Sequence, residues 1–322
     1  MPRRKLVTLA ETVPGKAIKE TIGVRAYYMS EVQREISLLA KDYPTSTYLK
    51  PLTPDLDELH KPVIDAYLRK FGPLFKGIEG YRWQYPTAGS SEAIFHILAG
   101  IKSKHPDAVI YTLKGEYEGY REYSKPLGLR TMEVIKVSDA KTPGYWFISN
   151  PSARDGNLLG EELIGDICDA GHKIVYDATY VGCVPRFVVD LSNQNIVAIL
   201  ASMSKPFGMF YYRVGFAFTR EEMGSLFGNK WFKNIFSLLA AQRIIEKFGP
   251  DKLVPKYKKL QREVVEELKR KTGLPIVASD VFLIATINKK AATREQLEQV
   301  QMWKRGDEYR ICLTPYFMSM EK

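Results

Sequence analysis

Four places in this chain of 322 residues put polar side chains where an apolar run gives way to a turn. They are Ala88-Gly-Ser-Ser91, Asn150, Asp177 with Tyr180 three residues on, and Ser202-Met-Ser-Lys205. An amine such as Lys205 can attack a carbonyl carbon or move a proton, and a carboxylate such as Asp177 favours the charged form of a nitrogen base beside it. Hydroxyls at the start of a helix suit an anion, because the free N–H groups there point outward, and Arg213 adds a planar, bidentate donor. Singly, each has an ordinary explanation. A lysine after a strand usually reaches the surface, and Ser-Ser before a helix is most often a cap. An aspartate at a strand end, or Asn-Pro, commonly forms a turn.

The elements that must hold these residues alternate along the middle of the chain. Ser90 to Lys102 reads as a helix, with Glu92 in its first turn. Ala108-Val-Ile-Tyr-Thr-Leu, Met132-Glu-Val-Ile-Lys-Val and Tyr145-Trp-Phe-Ile-Ser read as strands. A helix over about 160–170 leads into the strand Lys173-Ile-Val-Tyr-Asp177, and the apolar runs at 196–201 and 213–218 follow. Short continuous apolar strands between helices predict a three-layer α/β/α unit with a mostly parallel, buried sheet. In such sheets ligands bind beyond the carboxyl ends of the strands, which is where the four polar turns fall.

From about Glu221 long helical patterns dominate, over 231–248 and 254–271, before Val281 to Ile287 and Tyr309 to Leu313 return as strands. Gly273 is a plausible stop for the second helix. The expected division is an N-terminal arm or part of a small domain over 1–45, a large ligand-binding domain over 46–235, and a smaller α+β domain over 236–322.

Order and spacing give the four turns more weight than any one has alone. Asn150-Pro-Ser-Ala-Arg-Asp-Gly156 is followed by Asp177 27 residues after Asn150, by Lys205 28 residues after Asp177, and by Arg213-Val-Gly215. With Gly89-Ser-Ser-Glu-Ala93 upstream and Tyr309 to Leu313 far downstream, the chain resembles the fold-type I pyridoxal-phosphate enzymes, the aspartate-aminotransferase superfamily with its class I/II aminotransferases. The resemblance implies pyridoxal 5'-phosphate held as a Schiff base on Lys205, with Asp177 keeping the ring nitrogen protonated. It implies Tyr180 and Asn150 at the phenolic oxygen, and Ser90, Ser91, Ser202 and Arg213 around the phosphate. It places an aromatic ring on the cofactor face, best matched by Tyr117 in Gly115-Glu-Tyr-Glu-Gly-Tyr120, with Tyr120 as the fallback, and it gives Arg310 and Asn150 to the substrate. The family's usual state is a homodimer. The turn after Asn150-Pro reads Ser-Ala-Arg-Asp-Gly where many aminotransferases carry Asn-Pro-x-Gly.

Composition excludes several classes. With 45% hydrophobic and 26% charged residues the chain is ordinary for a globular protein, and no repeat or low-complexity tract marks it as fibrous or disordered. No apolar run is long enough to span a membrane, and the stretch after the basic Met1 to Lys5 is too short and polar for a signal-peptide core. Three scattered cysteines fit a reduced, cytoplasmic setting better than a disulfide framework, and the four histidines have no metal-ligand spacing, so no metal is expected. The net charge of +10 favours acidic partners, nucleic acid among them, although the eight Lys/Arg between 252 and 271 are interleaved with Glu263, Glu266 and Glu267, as on a solvated face.

The leading expectation is therefore an aminotransferase acting on an α-amino acid. The runner-up keeps the cofactor and breaks another bond, as a decarboxylase, lyase or oxidase, in one version on an amino acid attached to a nucleic acid. A third reading is a non-catalytic relative that uses the fold as a binding module. Tyr27, Tyr28, Tyr48, Arg82 and Trp83 are candidate pocket residues whose simpler role is packing or surface.

Overall fold

The computed structural model describes residues 21–42 and 57–320, so Tyr48 and much of the expected N-terminal arm lie outside the described residues. The described chain opens with helices α1 (Ser30–Asp42) and α2 (Asp57–Phe71) and the short strand β1 (Phe75–Lys76). Then come β2 (Trp83–Thr87), α3 (Ser90–Lys104), β3 (Val109–Leu113), α4 (Gly119–Ser124), β4 (Arg130–Val134) and β5 (Tyr145–Ser149). After these follow α5 (Glu161–Asp169), β6 (Lys173–Asp177), β7 (Val189–Asp190), β8 (Ile196–Ser202) and β9 (Gly215–Thr219).

Seven of these strands form one sheet in the order β2-β9-β8-β6-β5-β3-β4. The ladders from β8 through β4 are parallel, whereas β9 runs antiparallel to both β2 and β8. Every residue of β5 and β9 is buried, as expected for strands covered on both faces. The sheet is the mostly parallel one that the alternating pattern implies. β3 and β5 are neighbours while β4 lies outside β3, so successive connections leave in opposite directions there and open a crevice at the carboxyl edge.

The rest of the chain adds α6 (Gly224–Asn229), α7 (Ile235–Phe248), α8 (Val254–Thr272), β10 (Ile276–Ala278), β11 (Ile284–Ile287), α9 (Arg294–Gln299), β12 (Lys304–Arg305), β13 (Glu308–Cys312) and α10 (Thr314–Met320). β10, β11, β13 and β12 make a separate antiparallel sheet against which α8 packs. Tyr257, Gln261, Val264, Val265 and Leu268 form the buried stripe of α8, and Gly273, at φ +68°, stops it in the left-handed conformation that glycine tolerates best. α7 packs instead on α2 and α1. Buried Glu35 of α1 pairs with Arg243 at 3.2 Å and with Lys247, both on α7.

Several boundaries shift by a few residues, the strand expected over 132–137 lying at Arg130–Val134 and the run at 213–218 at Gly215–Thr219, and two further shifts have causes in the hydrogen bonding. The helix expected from Trp231 starts at Ile235, because the Asn234 side chain accepts from Ser237 N at 2.9 Å and caps it there. The strand expected from Val281 starts at Ile284. The amides of Val281 and Phe282 bond to Gly156 and Cys183 of the first unit instead of a sheet partner. Cys168, Cys183 and Cys312 are free and buried. No helix among the described residues is long and apolar enough to cross a membrane.

Candidate active site

A cavity of about 190 Å³ sits at the carboxyl edge of the seven-stranded sheet. Ser149 ends β5, Asp177 ends β6 and Ser202 ends β8, and Ser149 pairs directly with Asp177 in the ladder. Tyr117, Glu118 and Tyr120 follow β3, and Ser90 and Ser91 open α3. The sequence pattern therefore converges on one place. Ser90, Ser91, Tyr117, Asp177, Tyr180, Ser202, Lys205, Arg213 and Arg310 all line the cavity.

Lys205 follows β8 by three residues, on a turn tied down when Ser204 N donates to Ser202 Oγ at 3.2 Å. Its Nζ donates to the Val24 carbonyl at 3.1 Å, and Tyr27 donates its hydroxyl to the Lys205 carbonyl. Burial pulls its pKa down to about 8; the thiols of Cys312 and Cys183 oppose that shift, and Arg310 and Arg213 add to it. An amine poised near neutrality is suited to bonding a carbonyl carbon and to carrying a proton.

Asp177 is buried, and its carboxylate accepts three hydrogen bonds. Oδ1 takes Thr179 N at 3.0 Å and the Thr179 hydroxyl, and Oδ2 takes the Tyr120 hydroxyl at 2.9 Å. Burial pushes its pKa up while those bonds pull it down. A cationic N–H beside it would hold it ionised. Tyr120 thus uses its hydroxyl on Asp177, and Tyr117 stands edge-on to it with ring centroids 5.4 Å apart. Tyr180 is buried in the lining too. Burial raises its pKa, with the Arg310 charge pulling the other way.

The anion end is built from backbone as much as side chain. Gly89 at φ +86° begins α3, and no side chain caps the helix, so its first N–H groups face out beside Ser90 and Ser91. A Cβ at Gly89 would strike the Arg213 guanidinium at 2.7 Å, so glycine is what lets the arginine lie across the helix start. Arg213 Nη2 donates to Ala88 O at 2.7 Å, and Ser202 Oγ donates to Ser204 Oγ at 3.0 Å.

The opposite end is made by the second sheet. Arg310, on β13, is 5% exposed; Nη1 donates to Ala153 O and Nη2 to Ile22 O at 2.9 Å. Its Nε is buried with no partner among the described residues, so a carboxylate would satisfy it better than two carbonyls do. Arg305, on β12, lines the same end and pairs with Glu118 across the seam between the two sheets. There Gly115 and Gly306 touch backbone to backbone. A Cβ on Gly115 would overlap Arg305 C and Gly306 N, and one on Gly306 would overlap Lys114 O.

Asn150 does not itself line the cavity. It is buried, its Oδ1 accepting from Leu159 N at 3.0 Å and its carbonyl from the Tyr176 hydroxyl at 3.3 Å. The amide oxygen anchors the turn beyond β5 instead of reaching inward. Tyr28, Arg82 and Trp83 are also absent from the lining, and buried Tyr27 reaches the site through the Lys205 carbonyl. Sequence reasoning missed Thr179, Ser204, Glu118, Arg305 and Glu116. Thr179 and Ser204 lie within two residues of Asp177 and Lys205, and Glu116 and Glu118 flank Tyr117, so only Arg305 lacked a neighbouring signal. Glu116 is fully buried and accepts from Ser149 Oγ at 2.5 Å and from the Ser152 hydroxyl; burial pushes its pKa up against those two bonds and the Arg154 charge.

The site and fold define an enzyme-like α/β scaffold with a lysine, an aspartate and an anion cradle at one sheet edge. The family model for aminotransferase class I and II matches residues 132–317, more than half of the chain, and the chain belongs to that family. The histidinol-phosphate aminotransferase of Thermoanaerobacter pseudethanolicus is 25% identical over 215 residues, which is 61% of this chain and 60% of that protein. The matched region thus spans about three-fifths of that relative's length. The aspartate aminotransferase of Thermus thermophilus with maleate superposes with a TM-score of 0.68 at 14% identity, covering 99% of this chain and 96% of the other. A putative histidinol-phosphate aminotransferase from Erwinia carotovora gives 0.61 at 17% identity, covering 94% of each. At those identities the superpositions speak to fold.

The cofactor of this family is pyridoxal 5'-phosphate, and the residues present fit it. The uncapped start of α3, the serines and Arg213 suit the phosphate, buried Asp177 suits the ring nitrogen, and the Lys205 amine lines the same cavity.

Proposed function

We propose that the chain is a pyridoxal-phosphate-dependent aminotransferase acting on an α-amino acid. The observation that carries this is the placing of Lys205 and Asp177, from neighbouring strand ends, in one cavity with Arg310 at its far side. When bound, the cofactor supplies an electron sink and an acceptor for the amino group. Lys205 would hold it through Nζ, and the same amine is placed to move a proton at the substrate Cα. Asp177, fixed by Thr179 and Tyr120, keeps the ring nitrogen protonated. Ser90, Ser91, Ser202 and Arg213 would hold the phosphate, Tyr117 and Tyr180 would contact the ring, and Arg310 would orient the substrate carboxylate. The relatives' names favour amino transfer over the decarboxylase, lyase or oxidase reading. The test is the visible spectrum with added cofactor: a band that requires Lys205, converted by one amino acid to the amino form of the cofactor, supports transfer. No Lys205-dependent band overturns the reading.

The second arginine narrows the substrate. Arg305 faces the same end of the cavity as Arg310, so we propose that the substrate carries an anion beyond its α-carboxylate, which takes Arg305 from Glu118. Relatives named for histidinol phosphate act on a phosphate ester without an α-carboxylate, so their names support an anion at this end and do not bear on a second one. A panel comparing acidic, phosphorylated and neutral amino donors tests it; a preference for neutral donors overturns it.

We also propose a homodimer. Tyr211 is 69% exposed next to Phe210, which lines the cavity, and a partner surface would cover it. Sedimentation of the wild type and of Tyr211→Glu checks this. The expected boundary at 235/236 moves in this proposal to 248/249, because α7 packs on α2, which leaves 249–322 as the small unit and 1–45 as an arm or part of that unit. A cytoplasmic location is proposed on the three free cysteines. Nucleic-acid binding rests on net charge alone and would show as salt-sensitive retention of RNA or DNA.

A further inference from the structure

Glu116 has no part in the mechanism above, yet it is a buried acid two bonds away from the substrate end. Burying a carboxyl costs free energy unless its partners compensate, and an apolar side chain would fill the same space more cheaply. Its partners are specific. Ser149 Oγ accepts from Ala153 N at 2.7 Å and Ser152 Oγ accepts from Arg154 N at 3.2 Å, so the single proton of each hydroxyl goes to Glu116. The carboxyl therefore fastens both ends of the 149–154 turn. That turn presents the Ala153 carbonyl, which lines the cavity and holds Arg310 Nη1.

We propose that Glu116 is a positioning residue for substrate carboxylate recognition, acting through Ser149, Ser152 and the Ala153 carbonyl to set the Arg310 guanidinium. A planar two-pronged donor is sensitive to small displacements, so loss of one anchor shows in carboxylate affinity. The proposal rests on the aminotransferase reading above, and its test separates the two. The probe is maleate, an unreactive dicarboxylate, titrated by calorimetry into cofactor-loaded protein, with amino-donor kinetics in parallel.

Glu116→Ala is expected to weaken maleate about tenfold and to raise the donor KM by a similar factor, with kcat and the cofactor absorbance little changed. Glu116→Gln, which keeps one acceptor oxygen, is expected to lose about threefold. In an Arg310→Ala background the further change at Glu116 should be under about twofold, because the effect runs through that arginine. If Glu116→Ala does not fold, Glu116→Gln and Ser149→Ala/Ser152→Ala carry the same comparison. A fall in kcat at unchanged KM overturns the proposal. So does equal weakening with and without Arg310, or a wild type that does not bind maleate. Failure of the aminotransferase reading looks different: no amino acid is turned over, while the maleate coupling between Glu116 and Arg310 remains.

Discussion

The two ends of the cavity are built by different means. At the cofactor end, Ser149, Asp177 and Ser202 end adjacent strands of one sheet, and ladder pairing fixes their spacing before any side chain forms a bond. At the substrate end, Arg310 and Arg305 come from the other sheet and are held by Ile22, Ala153 and Glu118, segments 288, 157 and 187 residues away in sequence. One end is preorganised by register; the other is assembled from distant contacts. Substitutions at the first should abolish chemistry, whereas those at the second should alter affinity and leave chemistry standing.

The largest expected effect is at the cofactor end. Lys205→Ala should lose the cofactor band and at least about 10³-fold in turnover, read by absorbance and by amino-group transfer. Asp177→Asn should still load cofactor but lower kcat about 10²–10³-fold, roughly 3–4 kcal/mol on the barrier. At the substrate end, Arg310→Lys should raise the donor KM about 10-fold or more with the band intact, since an ammonium cannot reproduce the fork. Loss of the band in that variant would break the contrast between the ends.

Two smaller effects sharpen it. Cofactor loading needs the neutral amine, the form above the pKa. With Lys205 at about 8, the loading rate should rise about tenfold from pH 6 to 7 and level off above pH 8, as stopped-flow absorbance would show. A profile that keeps rising to pH 10 would mean an ordinary surface-like lysine. Glu118→Gln should change KM for a doubly anionic donor by only about threefold, because its pair with Arg305 is half open to solvent.

The same contrast governs what the sequence made legible. The sheet and its carboxyl edge were readable from the apolar runs, and the polar turns were readable because each lies within a few residues of a strand end. Lys205 and Arg213 share one short turn-and-strand segment, so order and spacing are enough to pair them. Nothing local pairs Glu116 with Ser149 and Ser152, or Arg305 with Glu118. A buried glutamate reads in sequence like a surface one, and only the parallel ladder brings residues 33 and 36 positions apart together. The Asn150 bond is also unreadable locally: its amide oxygen accepts from a backbone amide nine residues on, which leaves the amide nitrogen for other partners. Asn234 is the converse, a local cap that was present in the sequence and sets where α7 begins.

The glycine crossing at Gly115 and Gly306 has a consequence for how this protein can diverge. With two backbones in contact and no room for a Cβ on either, the gauge of the cavity mouth is set by main chain. Insertions in the β12–β13 hairpin, or in the loop after β3, would push the two sheets apart and carry the arginines with them. Side-chain exchanges at 118 and 305 leave that frame in place, which makes them the first positions at which to vary substrate preference. A directed library confined to those two positions samples the accessible range, while one that varies loop length spends most of its members on broken frames.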